Sequence, residues 1–174
     1  MNMIKPIIVS LSLLLGIGIV SCNDDAPERT DHHVDYTIEI TANNDLLSVT
    51  DITVSYILGD EEKTEAVTTS PWTKTITYSD FPCIGGIIVK SSFKKDAPLN
   101  KDKYTFLFTY QTDKNIVDTK GNIVSKDSNS SGRVYSESVD KNKVEAYINR
   151  NQTLVKALFS MEAKEGTIVF SPVQ

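Results

Sequence analysis

The chain has 174 residues and a formal net charge of −5, and 40% of its residues are hydrophobic. That length suits one domain with its own core, and an acidic chain without a Lys/Arg cluster has no electrostatic attraction to DNA or RNA. We therefore expect no nucleic-acid partner.

The first 21 residues have the layout of a secretory signal: Lys5, an uncharged apolar stretch at 7–20, and the small residue Ser21. The stretch is shorter than the ~20 apolar residues that span a bilayer as a helix, and its glycines weaken it further. Residues 1–21 are therefore predicted to be a cleaved signal peptide.

A cysteine ends this signal, in the sequence IVSC at residues 19–22. The tetrapeptide resembles the lipobox of bacterial lipoproteins, with Ile19 where that pattern prefers Leu. The resemblance implies cleavage before Cys22 and several acyl chains on it, enough for a lasting membrane anchor. The following Asn23, Asp24 and Asp25 resemble the export signal of Bacteroidetes surface lipoproteins, which implies a small outer-membrane lipoprotein exposed at the cell surface.

Residues 22–33 (CNDDAPERTDHH) lack apolar periodicity and are rich in charge. Such a composition buries too little surface to offset the entropy of ordering, so it predicts a flexible tether. With Cys22 lipidated, Cys83 has no cysteine left to pair with, and its apolar neighbours predict a buried, unreactive thiol.

From Val34 onward, alternation of apolar and polar residues predicts short strands. VDYTIEIT is the first; after a polar turn at ANND the pattern resumes at 52–58, and the Gly59-Asp60 turn into TEAVTT predicts a hairpin. In WTKTITYS, Trp72, Ile76 and Tyr78 share one face. Gly85 and Gly86 predict a bulge or a close backbone approach.

The run KYTFLFTYQ is predicted to be one strand, with Tyr104, Phe106, Phe108 and Tyr110 on one face. Residues 111–132 are interpreted as a long excursion, with a hairpin-like pair at 116–117 and 123–124 and a mobile KDSNSSG tail. Asp140 is predicted to cap a helix at 140–150, and two last strands follow it.

Seven to nine short strands and one short helix near 140–150 predict a mainly β fold for residues 34–174. The expected architecture is an antiparallel two-sheet sandwich, Ig-like or transthyretin-like in general form. A small closed barrel is the alternative.

No residue set in the folded part predicts catalysis, a metal or a cofactor. His32 and His33 fall in the tether, where no pocket can orient them. Asp127, Asn129, Ser131 and Gly132 resemble the first half of a calcium loop. The position of the bidentate Glu is Ser138, however, so a polar loop is expected.

The expected function is a non-enzymatic binding or assembly module that contacts a glycan or a protein of the envelope. Trp72, with Tyr78 and Tyr110 as neighbours, is the candidate glycan contact, because aromatic faces can stack on sugar rings. One alternative is a hydrolase with two carboxylates facing a cleft. The other is a carrier with a pocket of a few hundred Å³ lined by Tyr104, Phe106 and Phe108.

Overall fold

A computed structural model describes residues 30–59, 61–129 and 137–173. The predicted signal peptide, Cys22 and most of the predicted tether lie outside these residues, as do Ser131 and Gly132 of the calcium-like loop. In the described part of the chain, no helix is long and apolar enough to cross a bilayer.

Strands dominate the described residues, and short helices lie between some of them. The strands are β1 (His33–Ala42), β2 (Thr50–Leu58), β3 (Glu61–Ala66), β4 (Trp72–Tyr78), β5 (Cys83–Phe93), β6 (Lys103–Phe106), β7 (Phe108–Val117), β8 (Ile123–Asn129), β9 (Glu137–Asp140), β10 (Thr153–Lys164) and β11 (Thr167–Pro172). The helices are α1 (Asn44–Val49) and α2 (Val144–Arg150), the second preceded by a 3-10 turn at Lys141–Lys143.

The strands form two large antiparallel sheets, ordered β4-β1-β7-β8 and β11-β10-β5-β2-β3, and a separate ribbon of β6 and β9. The large sheets pack face to face. The rings of Tyr36 on β1 and Phe159 on β10 lie 5.1 Å apart between centroids, and the Tyr78 hydroxyl donates to the Ile57 carbonyl at 3.0 Å. The predicted antiparallel sandwich is confirmed, and so is the short helix near 140–150.

Alternation places the core as expected. Along β1, the side chains of Val34, Tyr36, Ile38 and Ile40 are buried, and those between them are not. The facing sheet buries Ile52, Val54, Ile87, Val89 and Met161 against them. Each fully buried aliphatic side chain contributes about 1.5–3 kcal/mol relative to an exposed one.

Gly86 lets β5 and β10 approach closely. Its φ is +116°, and a Cβ built on it would lie 2.0 Å from the Ala157 carbonyl oxygen. The pairing runs through this point without interruption, since Gly86 faces Leu158 and Gly85 faces Phe159. Of the two predicted alternatives, close approach is therefore the one observed.

The ANND segment is not the simple turn that its polarity predicts. Asn43 caps α1, because its Oδ1 accepts from the Leu46 N–H at 3.2 Å, and Leu46 and Val49 of the helix are buried. Residues 43–45 are all polar, and a helix with two buried residues is too short to show a clear helical period. The sequence pattern therefore does not predict α1.

The aromatic run KYTFLFTYQ is not one strand. It divides at Leu107 into β6, which pairs with β9, and β7, which pairs with β1. Asn43 holds the division: its Oδ1 also accepts from the Leu107 N–H at 3.1 Å, and its Nδ2 donates to the Thr105 carbonyl at 2.6 Å. The predicted facing holds for Tyr104, Phe106 and Phe108, all buried.

The long excursion predicted at 111–132 is wrong. Residues 111–117 complete β7, which pairs with β1 from Ala42↔Phe108 to His33↔Val117. The hairpin-like pair is confirmed, since Val117 faces Ile123 across a turn where Asp118 accepts from the N–H groups of Lys120 and Asn122. Residues 123–129 form β8, so only the end of the KDSNSSG tail lies outside the described residues.

The predicted helix is present, but its expected cap is not. Asp140 is extended and makes no capping hydrogen bond with its side chain. Its carboxylate lies 3.3 Å from Lys143 Nζ instead. Val144 and Ile148 bury the inner side of α2.

Candidate functional site

A groove with aromatic and charged groups opens at one side of the sandwich, between the edge strands β8 and β11. We call it the edge groove; its volume is about 340 Å³. The residues that give it its character are Tyr36, Lys114, Asp127, Phe159, Phe170 and Pro172.

Strand pairing assembles one wall of the edge groove. Tyr36 on β1 faces Lys114 on β7, and Lys114 faces Asp127 on β8. Directly opposed residues in antiparallel strands project from the same side of the sheet. The three side chains therefore form one row on the inner face.

Phe159 and Phe170 form the other side of the groove and pack in sequence against Tyr36 of the first wall. Phe159 meets Tyr36 edge to face, and Phe170 on β11 meets Phe159 in the same way, with centroids 5.8 Å apart and planes at 73°. Tyr36 and Phe159 are buried, whereas Phe170 is only half-buried. Phe170 is thus the ring that a ligand would meet first.

Lys114 lies over these rings and lines the groove. Its Nζ is 4.8 Å from the Phe170 centroid and 5.1 Å from that of Phe159, and 2.5 Å from Asp127 Oδ2. The Lys114 side chain is 16% exposed and that of Asp127 57%. Aromatic faces attract such a cation, and its apolar stem covers core that the open edge would otherwise leave bare.

Tyr36 remains a neutral phenol in this setting. Burial raises its pKa well above the usual value, although a hydrogen bond with Thr112 acts in the opposite direction. The groove therefore combines apolar ring faces with one ammonium and one accessible carboxylate. That combination can bind a ligand.

The shifted carboxyl groups of the described residues do not supply a general acid. Hydrogen bonds lower the pKa of Asp45, Glu61, Glu65 and Asp118. A catalytic acid at neutral pH needs the opposite shift. Nor do the described residues hold three or more His, Cys, Asp or Glu side chains placed to bind a metal ion together.

Trp72, Tyr78 and Tyr110 do not form one exposed aromatic surface. Tyr78 is buried with its hydroxyl on the Ile57 carbonyl, and burial raises its pKa to about 12. Trp72 and Tyr110 are half-buried and lie on either side of Ile40, with which both are in register. Sugar stacking on Tyr78 would require the core to open.

The histidines and the free cysteine also have definite places. His33 begins β1, one residue inside the predicted tether, with its Nε2 3.8 Å from Asp35, and His32 Nδ1 lies 2.8 Å from the Thr30 hydroxyl. Cys83 is half-buried, and burial raises the pKa of its thiol to about 11. A protonated thiol is a poor nucleophile.

In the described part of the chain, the cavity beside the aromatic run is small. The cavity that touches Phe106 and Phe108 measures about 20 Å³, room for roughly one water molecule. Tyr104 is buried and hydrogen-bonded to the Pro98 carbonyl at 3.1 Å. This cavity is far smaller than the few hundred Å³ expected of a carrier.

The sequence does not predict the residues of the edge groove as one site, because they lie on five separate strands. One signal for Lys114 exists: it continues the alternation of Tyr110 and Thr112 toward Ile116. Interpreting 111–117 as a strand would have placed this lysine on the inner face. No sequence pattern links it to Phe159 or Phe170.

Comparisons of the chain with protein-family models, with curated proteins and with solved structures gave no match. The function must therefore be argued from the fold and the groove.

Proposed function

We propose that the protein is a lipid-anchored, non-enzymatic binding module of the bacterial cell envelope, with the edge groove as its binding site. The anchor is the lipid expected on Cys22, and the membrane in question is the outer membrane. The single observation that carries the binding role is the groove of about 340 Å³, in which a half-buried ring lies beside an ammonium and a carboxylate.

The ligand class favoured by this chemistry is a glycan. A sugar ring has apolar C–H faces that can lie on Phe170, and hydroxyl groups around its rim. The Asp127 carboxylate would accept from one hydroxyl and the Lys114 ammonium would donate to another. Small clefts with apolar walls and a few polar groups are the usual form of such binding sites.

A role without catalysis agrees with the charges in the described residues. The carboxyl groups with shifted pKa are held ionised, and the phenol of Tyr36 is held neutral. Asp127 is the single carboxyl group among the described residues that line the groove. The carboxylate hydrolase remains the weaker proposal.

Glycan-array binding of the folded domain tests the ligand class. We expect Phe170→Ala to weaken binding at least tenfold, since loss of a ring–ligand contact of about 1.4 kcal/mol has that effect. Trp72→Ala is the matched control and should bind as the parent does. Loss of binding in the Trp72 variant alone would place the site on the sequence-predicted aromatic residues.

Mass analysis of the natural N-terminus tests the anchor. We expect a mature chain that begins at Cys22 and carries acyl groups, and a Cys22→Ser variant that is released from membranes because no acyl chain holds it. An unacylated chain, or a Cys22→Ser variant held as firmly as the parent, would contradict the anchor.

Surface exposure is tested by protease treatment of intact cells. A domain on the outer face would be degraded, whereas a periplasmic domain would survive until the outer membrane is permeabilised. A periplasmic protein in the same cells serves as the integrity control.

A further inference from the structure

In the described residues, four large hydrophobic side chains are exposed. They are Leu58 (44% exposed), Ile123 (58%), Val124 (54%) and Val169 (42%). Single exposed apolar residues are ordinary on soluble domains, but apolar residues that share one surface mark a contact site. The strand pairings show where these four residues lie.

Strand pairing puts Ile123 and Val124 where the chain enters the fold. His33 is the first residue of β1 and faces Val117, and Val117 faces Ile123. The β7–β8 turn at 118–122 is therefore adjacent to the residues that lead in from Cys22.

Leu58 lies at the same end. Val34 of β1 faces Tyr78, and the Tyr78 hydroxyl bonds the carbonyl of Ile57 in the other sheet. Leu58 follows directly and precedes the turn at Gly59.

Val169 completes the set. The β4–β5 turn follows Tyr78 and ends at Cys83, which faces Met161. The next residue, Glu162, faces Val169. We call this end the hairpin end, defined by Gly59, 79–82, 118–122 and 165–166; α1, α2 and the β6–β9 ribbon lie at the other.

The length of the preceding segment limits how far this end can stand from an anchored Cys22. Ten residues lie between Cys22 and His33, so eleven Cα–Cα steps join them. At most ~3.6 Å each gives about 40 Å when fully extended. A bilayer that holds Cys22 is thus always within reach of the hairpin end, which raises its effective concentration there.

The charges at this end decide which bilayer it would contact. Acidic residues outnumber lysines around the turns: Glu61, Glu62, Asp80, Asp118 and Glu165 against Lys63, Lys120 and Lys164. Anionic headgroups repel such a surface, and salt weakens the repulsion. Headgroups without net charge do not repel this surface.

We infer that the hairpin end docks on the bilayer that holds Cys22, with Leu58, Ile123, Val124 and Val169 in contact with zwitterionic lipid. This inference rests on the proposed lipid anchor. Docking fixes the orientation of the domain: the edge groove opens sideways, parallel to the membrane, and the end with the two helices points away from it.

Lipid-phase quenching of a fluorescent label measures the docking. The full lipidated chain carries Cys83→Ala and a single nitrobenzoxadiazole label, at Lys120→Cys on the hairpin end or at Lys141→Cys on the opposite end. The probe membrane is a phosphatidylcholine vesicle with spin-labelled lipid. We expect at least fivefold stronger quenching at position 120 than at 141.

A variant isolates the apolar contacts from the anchor. In the chain with Leu58→Ser, Ile123→Ser and Val124→Ser, which keeps only Val169 of the four contacts, quenching at position 120 should fall toward the level at 141, although the chain still floats with the vesicles. Since the three side chains are exposed, the fold should persist, and a thermal unfolding curve checks it. Replacing half of the phosphatidylcholine by phosphatidylglycerol at low salt should also reduce the quenching.

Each failure has its own signature. If the labels at 120 and 141 are quenched equally weakly in a chain that floats with the vesicles, the docking is refuted and the anchor is not. Strong quenching at 141 would reverse the orientation and overturn it as well. A parent chain that does not float would refute the anchor, and the docking with it.

Discussion

Gly86 is the residue whose side chain the fold can least accept. Its missing Cβ leaves the room that the Ala157 carbonyl occupies, and its φ of +116° is one that other residues avoid. Both conditions arise because β5 and β10 lie so close together at this point. The position can therefore be tested separately from ordinary glycine flexibility.

We predict that Gly86→Ala lowers the free energy of unfolding by about 3 kcal/mol or more, because backbone must move to admit the new methyl group. Gly121→Ala is the control: its φ is also positive, at +82°, but no atom lies within 4 Å of the added Cβ. Only the left-handed backbone penalises it, by about 1–2 kcal/mol. Urea unfolding measures both, and equal losses would contradict a steric cause at Gly86.

Asn43 links elements that are far apart in the sequence. Its side chain caps α1 and also bonds the backbone on both sides of Phe106, where one aromatic run divides between two sheets. Helix α1 and the division at Leu107 are thus held by one amide. An amide is suited to this position because it offers an acceptor and a donor together.

We predict that Asn43→Ala costs about 2 kcal/mol, the sum of a lost cap and lost bonds to Thr105 and Leu107. Asn43→Asp keeps a capping oxygen, whose charge the helix N-terminus favours, but sets a second oxygen against the Thr105 carbonyl, so we expect a loss of about 1 kcal/mol. Asn44→Ala, at the exposed neighbouring residue, should change stability by less than about 0.5 kcal/mol. Chemical unfolding of the three variants gives the order, and an Asp variant as unstable as the Ala variant would contradict it.

How well a strand is predicted from the sequence depends on which residues occupy its inward positions. In β1 they are all apolar, and in β2 all but Thr50 are, so alternation predicts both strands correctly. In β7 the inward positions 112 and 114 are Thr and Lys, so half of a central strand looks like a polar loop. The edge groove could not be predicted because it is assembled by the tertiary pairing of five strands, about which local sequence pattern carries no information.

Two buried phenols connect the two large sheets of the molecule. Tyr36 meets Phe159 across the core, and Tyr78 bonds the Ile57 carbonyl. Burial raises the pKa of both hydroxyls, that of Tyr78 to about 12 from an ordinary 10.0. The folded state therefore keeps protons that the unfolded chain releases above pH 10.

We predict that ionisation of these phenols leaves stability unchanged below pH 10, and that stability falls as the pH rises from 10 toward 12, by up to about 1.4 kcal/mol per pH unit for each group. Tyr78→Phe should be about 1 kcal/mol less stable than the parent at pH 8, where it lacks one hydrogen bond. That difference should shrink or change sign by pH 11. Urea unfolding at pH 8, 10 and 11 tests the prediction, and a constant difference would contradict it.

The division of one aromatic run at Leu107 limits how the molecule can be dissected. Tyr104 and Phe106 are covered at the end with the two helices, and Phe108 belongs to a central strand of the large sheet two residues later. Excision of residues 137–150 would strip the ribbon partner from β6 and uncover rings joined directly to that strand. Neither the end with the ribbon and α2 nor the pair of large sheets is therefore an independent module. We expect the domain to unfold in a single cooperative thermal transition.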